Sequence, residues 1–391
     1  MKFRNNDELD IKAKQGTSII LLDGSMGAYI RSNSGRHDPN SLFTKIWSAA
    51  ALAGPEYHEE VINAHIEYIK AGSQILSTNS YGVQPHYYKR AFGKEDYENL
   101  MVKHAKLSAD LAKIARERCP SEQNVKIFGA IGPICESHNP KLLKMYIKEY
   151  GASFCIDSYT KISNALYEGG VDGFIIETMN SWEEAFYALE GIRRAQQISN
   201  TSTPLPIMVN FEGSLRSDDL QNGSIDDHKL DPETIGKLVI RNFLDYVDRN
   251  PTLNIISFGL NCASPENMMK SFRCIFETNI CSEDSTDAPS YESVKDSLNR
   301  RNIGVCAYPN FYDITRYQTQ GYDVTKSVPL QKRLDLISND YEGFLAYVDE
   351  LISNFNVRYI GGCCGCKSDG IKKLNEKYSQ QNHMRKPLKI N

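Results

Sequence analysis

The chain predicts an α/β fold of the (β/α)8 TIM-barrel class, built as a single domain with surface insertions. Three observations predict it. Eight short apolar runs recur along the 391 residues, each followed by an amphipathic helical stretch. The runs are continuously apolar rather than alternating, as strands covered on both faces of a parallel sheet must be. No Gly-x-Gly-x-x-Gly turn follows the first run, which counts against a doubly wound nucleotide-binding sheet.

The strands read at 18–22, 74–78, 125–131, 171–177, 205–211, 253–260, 303–307 and 357–360. The first helix spans 56–71, carries Ile62, Ile66 and Ile69 on one face, and ends at Gly72. The second spans 95–118, with Leu100, Leu107, Leu111 and Ile114 as its apolar stripe. The third carries Ile156, Ile162 and Leu166 and stops at Gly169-Gly170. Ser181 with Glu184 has the spacing of a capping box and opens the fourth. Asp231-Pro232 and Ser264-Pro265 place a cap residue before a first-turn proline, opening the fifth and sixth. Phe344, Tyr347, Val348, Leu351 and Phe355 mark the seventh, and Ile371, Leu374 and Tyr378 the eighth.

The composition is that of a globular protein, 41% hydrophobic and 24% charged. A formal net charge of −4 without a long basic run argues against nucleic acid or an anionic membrane as partner. No stretch approaches the ~18 consecutive apolar residues of a spanning helix. The polar start, residues 1–16, lacks the apolar core of a signal peptide, so a cytoplasmic protein is expected. The barrel is assigned to residues 17–380, and the polar tail 381–391 is expected to fray. The chain exceeds the roughly 250 residues typical of this barrel. The excess falls in polar segments at 31–44, 214–228, 281–300 and 312–339; the Ser-, Asp- and Glu-rich 281–300 reads as a solvated surface insertion.

Barrel enzymes carry their chemistry where strands end at the C-terminal face. Here strand one runs into Asp23-Gly24, strand four into Glu177-Thr178, strand six into Asn261-Cys262 and strand eight into Gly361-Gly362-Cys363-Cys364-Gly365. Ten sparse cysteines are not a disulfide framework, and most read as small buried apolar residues, such as Cys155, Cys274 and Cys306. Cys262, Cys363 and Cys364 are different, because three thiols converging on one mouth suit zinc and leave its fourth position open. Zinc with three thiolates is formally anionic, a poor activator of water but a good holder of an electron-rich sulfur. Two plainer readings of the cluster are a tight turn with buried thiols and a vicinal redox pair. Cys366 either adds a fourth sulfur or points into the barrel; the latter is expected, since the turn already commits two residues to the metal. Glu177, ending the run Phe174-Ile175-Ile176, is placed to meet the ammonium of an amino-acid substrate, against the alternative of a plain strand-end ion pair. Asp23 follows the same logic, although Asp-Gly also suits a simple turn.

The motifs Leu22-Asp23-Gly24-x-Met26-Gly27, Ile175-Ile176-Glu177-Thr178, Gly259-Leu260-Asn261-Cys262 and Gly361-Gly362-Cys363-Cys364-Gly365 together resemble the homocysteine S-methyltransferase family. The likeness also takes in Trp47-Ser48-Ala49, Gly129-Ala130-Ile131-Gly132-Pro133 and Tyr308-Pro309-Asn310, and spans roughly 17–376. It implies a zinc barrel in which Cys262, Cys363 and Cys364 bind the metal and homocysteine takes a methyl group to become methionine. Asp23 and Glu177 match the family's substrate-binding elements, and Asn261 is counted with them. Some positions depart from the family pattern. Ile134-Cys135-Glu136-Ser137 follows Gly-Pro, Phe311-Tyr312-Asp313 follows Tyr-Pro-Asn, and Cys366 stands where threonine is common. These lie on the donor side. The chain has no long extension after the last helix of the kind betaine-using members employ to oligomerise, so a sulfonium donor, S-methylmethionine or S-adenosylmethionine, and a monomer are expected. A betaine or methylfolate donor, or a catalytically silent zinc- or thiol-binding barrel, are the alternatives.

Overall fold

A computed structural model describes residues 19–33, 41–120, 124–137, 139–199, 203–213, 232–282, 290–311 and 340–384. Eight strands run parallel: β1 (Ile20–Leu21), β2 (Ile75–Ser77), β3 (Lys126–Ile131), β4 (Gly173–Met179), β5 (Ile207–Glu212), β6 (Ile255–Asn261), β9 (Gly304–Tyr308) and β10 (Val357–Ile360). A separate hairpin, β7 (Asn279–Ser282) with β8 (Ser290–Ser293), lies between β6 and β9 in sequence. The sheet order is β1-β10-β9-β6-β5-β4-β3-β2, and a parallel bridge from Leu22 to Ile75 closes it into a barrel. Each strand expected from the sequence coincides with one of these eight, with ends shifted by a residue or two.

Alternation along the strands divides the core into two layers. Inside the barrel pack Ile20, Leu22, Ile75, Phe128, Ala130, Ile175, Met208, Ile256, Cys306, Tyr308 and Tyr359. The larger layer between strands and helices includes Phe174, Ile176, Val209, Phe211, Phe258 and Leu260. Both strand faces are therefore dry, which is why the sequence shows unbroken apolar runs.

The helices number α1 (Met26–Asn33), α2 (Leu42–Ile46), α3 (Ala50–Ala53), α4 (His58–Ala71), α5 (Pro85–Phe92), α6 (Tyr97–Glu117), α7 (Pro140–Tyr150), α8 (Ala152–Glu168), α9 (Trp182–Ile198), α10 (Pro232–Arg249), α11 (Pro265–Phe276) and α12 (Val294–Arg300), followed by α13 (Glu342–Phe355) and α14 (Ser368–Met384). The eight expected helices are α4, α6, α8, α9, α10, α11, α13 and α14. Gly72, at φ +100°, closes α4 in the left-handed conformation that glycine takes without strain. Ser264 caps α11 by accepting from Asn267 N at 3.3 Å. At α9 only half of the expected capping box forms. Ser181 Oγ accepts from Glu184 N at 3.3 Å, but the Glu184 carboxylate turns away to Asn180 N (3.2 Å) and Ile134 N (3.1 Å).

Two readings of the insertions need correcting. The segment 281–300 is not merely a solvated loop, since it completes the β7–β8 hairpin and forms α12, where Val294 and Leu298 are buried. Two apolar residues four apart among Ser, Asp and Glu were too weak a signal to show a helix. Part of 31–44 is likewise structured, with Phe43 and Thr44 of α2 buried. The insertions at 214–228 and 312–339, residues 1–16 and Asp231 lie outside the described residues.

Candidate active site

The mouth of the barrel is assembled by strand ends that fix one another. Asp23 follows β1, and its carbonyl accepts from Gly362 N at 3.1 Å. The cysteine loop after β10 is held on its other side by β9, where Cys363 N donates to Pro309 O (2.8 Å) and Phe311 N to Cys364 O (2.8 Å). Cys262 N donates to Tyr308 O at 3.2 Å, tying β6 to the same strand end. Two glycines of this loop are required by geometry. Gly365 turns the chain at φ +86°, and a Cβ on Gly362 would lie 2.1 Å from both Cβ and Sγ of Cys366. Cys262 and Thr178 hold left-handed φ values of 56° and 58° without being glycine, so backbone strain gathers at this rim.

Cys262, Cys363 and Cys364, from ends 101 positions apart in the chain, bring their sulfurs within 4.8 Å of one another. The Cys363 and Cys364 sulfurs are 3.8 Å apart. Tetrahedral zinc with Zn–S bonds of about 2.3 Å spaces its sulfurs by roughly 3.8 Å, so the donor set fits such an ion. None of the described cysteines is in a disulfide. Mutual proximity and burial push the Cys262 thiol well above its ordinary pKa, the cost of crowding thiols that a cation would relieve.

Cys366 is not part of this group. It is fully buried in the layer between strands and helices, against Gly362 and Gly370, rather than inside the barrel as the sequence suggested. Its carbonyl instead accepts from Tyr68 Oη (3.2 Å) and Ser25 N (3.0 Å), so the residue anchors the loop from behind.

The two expected carboxylates face the same mouth. Asp23 accepts from Ser77 N (2.8 Å) and Ser77 Oγ (2.9 Å), and burial still raises its pKa to about 7. Glu177 is raised to about 8 by burial, reinforced by the nearby Asp23, while Tyr308 Oη donates to it at 3.5 Å. Asn261 is fully buried, and its amide is engaged with Thr178: Oδ1 accepts from Thr178 N at 2.8 Å and Nδ2 donates to Thr178 Oγ1 at 2.8 Å. Two tyrosines had no role in the sequence reading, although both stand at strand ends. Tyr308 contacts Glu177, and the half-buried Tyr81, hydrogen-bonded with Ser137, lies within electrostatic reach of Cys262 and Glu177. Their position after a barrel strand was the available signal.

The homocysteine S-methyltransferase family model matches residues 20–378. The chain belongs to this family. The Arabidopsis thaliana protein homocysteine S-methyltransferase 1 is 26% identical over 250 residues, an alignment covering 58% of this chain and 65% of that relative, just under two thirds of its length. In fold the chain is similar to the Escherichia coli homocysteine methyltransferase MmuM in its metallated form, with a TM-score of 0.57 at 19% identity, over 92% of this chain and 96% of that one. The oxidized form of the same enzyme gives 0.56 at 19% identity over the same shares. Family membership accords with the barrel and with the converging thiols. Among the described residues, no helix is long and apolar enough to cross a membrane.

Proposed function

We propose that this chain transfers a methyl group from a sulfonium donor, S-methylmethionine or S-adenosylmethionine, to the sulfur of homocysteine, forming methionine. The observation that carries the reading is the triad Cys262, Cys363 and Cys364 at the barrel mouth, which suits a zinc ion with one position left for a substrate sulfur. The metallated form of the Escherichia coli neighbour supports the same assignment. Zinc held by these three thiolates would supply a place where a fourth sulfur could stay a thiolate near neutral pH.

The remaining residues bind and orient. Glu177 takes the α-ammonium of homocysteine, whose arrival favours the ionised carboxylate and draws off the proton that burial keeps there. Asn261 serves the substrate by bracing Thr178, which fixes the backbone next to Glu177. Asp23, oriented by Ser77, adds a second acceptor on the same side. Tyr308 and Tyr81 wall the pocket and limit water around the reacting sulfur. So oriented, the homocysteine sulfur forms the new S–CH3 bond as the donor's S–CH3 bond breaks. The electron pair stays on the donor sulfur, which leaves as a neutral thioether. Thiols held reduced at a metal suit the cytoplasm, where we place the protein.

The test is methionine formation from homocysteine by purified protein, with S-methylmethionine, S-adenosylmethionine, betaine and a methylfolate offered separately. Methionine from the sulfonium donors, with about one zinc per chain, is expected. Activity with betaine or methylfolate alone would overturn the donor assignment. A zinc-replete protein silent with every donor would overturn the transfer and favour a zinc- or thiol-binding barrel.

A further inference from the structure

β5 brings a third carboxylate to the mouth, one with no part in the scheme above. Met208 packs inside the barrel while Val209 and Phe211 face the helices, so alternation turns Asn210 and Glu212 inward. Ile176 pairs with Val209 and Met179 with Phe211, so a bulge puts Glu177 and Thr178 together against Asn210. Glu212 stands one pleat nearer the mouth, in register with Asn261, the residue before Cys262. Asn261 in turn pairs with Tyr308. Gly213 N donates to Asn261 O at 2.8 Å, clamping this end of β5 to the strand that carries Cys262. Glu212 is only 4% exposed. Beneath it Asn210 gives Nδ2 to Ile176 O at 3.2 Å, and its buried Oδ1 has no hydrogen-bond partner. β5 therefore presents an amide oxygen and a carboxylate in a column on the approach to the thiols.

We propose that Glu212 recognises the positive sulfur of the methyl donor and so selects sulfonium donors, an inference that rests on the methyl-transfer reading above. A carboxylate in a low-dielectric pocket favours a cation far more than a neutral ligand of the same shape. The lower layer already holds Glu177 for the ammonium of homocysteine, and Glu212 lies above it, on the side from which a second substrate must arrive. The sulfonium loses its charge as the methyl leaves, so the attraction is stronger in the bound donor than in the transition state. Glu212 accordingly acts on donor binding, and its removal should not slow the transfer itself.

Glu212→Gln and Glu212→Asp test this in the zinc-loaded protein. Calorimetry would give the affinities for S-adenosylmethionine and for its neutral-sulfur product S-adenosylhomocysteine, and steady-state kinetics with S-methylmethionine would separate KM from kcat. In Glu212→Gln, S-adenosylmethionine affinity should fall and donor KM rise by roughly ten- to a hundredfold, with Glu212→Asp between. Zinc content, homocysteine affinity, S-adenosylhomocysteine affinity and kcat should hold within about threefold. Unchanged donor affinity would overturn the proposal. Equal losses for the sulfonium and the thioether would also overturn it, by moving Glu212 to the donor's ammonium. Loss of zinc in both variants would make Glu212 a support of the metal site instead, again against the proposal. If the unaltered protein forms no methionine yet binds S-adenosylmethionine in a Glu212-dependent way, the transfer reading falls and the charge recognition stands.

Discussion

Glu177 lies within β4 at its bulge against β5, and burial first, then Asp23, lifts its carboxyl to about 8. At neutral pH the ligand-free protein therefore holds a proton there that an incoming ammonium displaces. Homocysteine affinity should rise from pH 6 to pH 8 and fall roughly ten- to a hundredfold in Glu177→Gln, whose profile should be flatter. Calorimetry in buffers of different ionisation heat would count the released protons; an affinity indifferent to the substitution would remove Glu177 from the site. The linkage to folding has the opposite sign. A carboxyl whose folded pKa exceeds its unfolded one stabilises fully below about 4.5, and that share is lost as pH rises through 8. The thiols divide in the same concrete way. Cys262→Ala, Cys363→Ala and Cys364→Ala should each empty the metal site, whereas Cys366→Ala should keep zinc and lose about 1 kcal/mol of stability by urea melting. Equal zinc loss in Cys366→Ala would show that the anchoring role is wrong.

Between elements, the buried Glu184 joins two loops that carry the mouth. Its carboxylate accepts from Ile134 N after β3 and from Asn180 N and Nδ2 after β4, close in sequence to Glu177. Burial raises its pKa to about 7, against the backbone donors that pull it down. Glu184→Ala would leave two buried N–H groups unpaired at about 1–3 kcal/mol each. The variant should lose on the order of 2–5 kcal/mol in urea unfolding and bind homocysteine more weakly, although Glu184 touches no substrate. A stability loss under 1 kcal/mol would show that water replaces the carboxylate without strain. The capping-box spacing reads the same in either case, because Ser181 caps α9 whichever way Glu184 turns.

For the molecule as a whole, closure between β1 and β2 rests on few contacts. They include the Leu22–Ile75 bridge, Gln74 N donating to Leu21 O at 2.7 Å, Leu21 N donating to Gln74 Oε1 at 3.1 Å, Ser73 Oγ donating to Leu22 O at 3.2 Å, and Ser77 donating to Asp23. Among the described residues the exposed large apolar side chains Ile114, Met145, Ile198 and Leu238 sit on four different helices, α6, α7, α9 and α10. Scattered in this way they form no broad apolar face for self-association. Light scattering should therefore report a monomer near the chain mass of 44.2 kDa. A mass of twice that at micromolar concentration would show an interface built by other surfaces.

What the linear chain determined by itself was periodic or local. Eight apolar runs, their following helices and the caps at Ser181 and Ser264 were legible because burial on both strand faces and unpaired helix-end N–H groups leave marks in adjacent residues. The strand-end rule placed Asp23, Glu177, Asn261 and the three cysteines at one mouth before any distance was known. Distances belonged to the fold. Only tertiary structure sets the Cys262 sulfur beside those of Cys363 and Cys364 and sends Cys366 outward. Only it commits the Asn261 amide to Thr178 and turns Glu184 from its own cap to Ile134. Each of these depends on where a side chain points after a turn, and residues one position apart on a strand end point to opposite faces of the wall. The hairpin and α12 were missed for a related reason: so short a buried face in a polar segment has no period long enough to read.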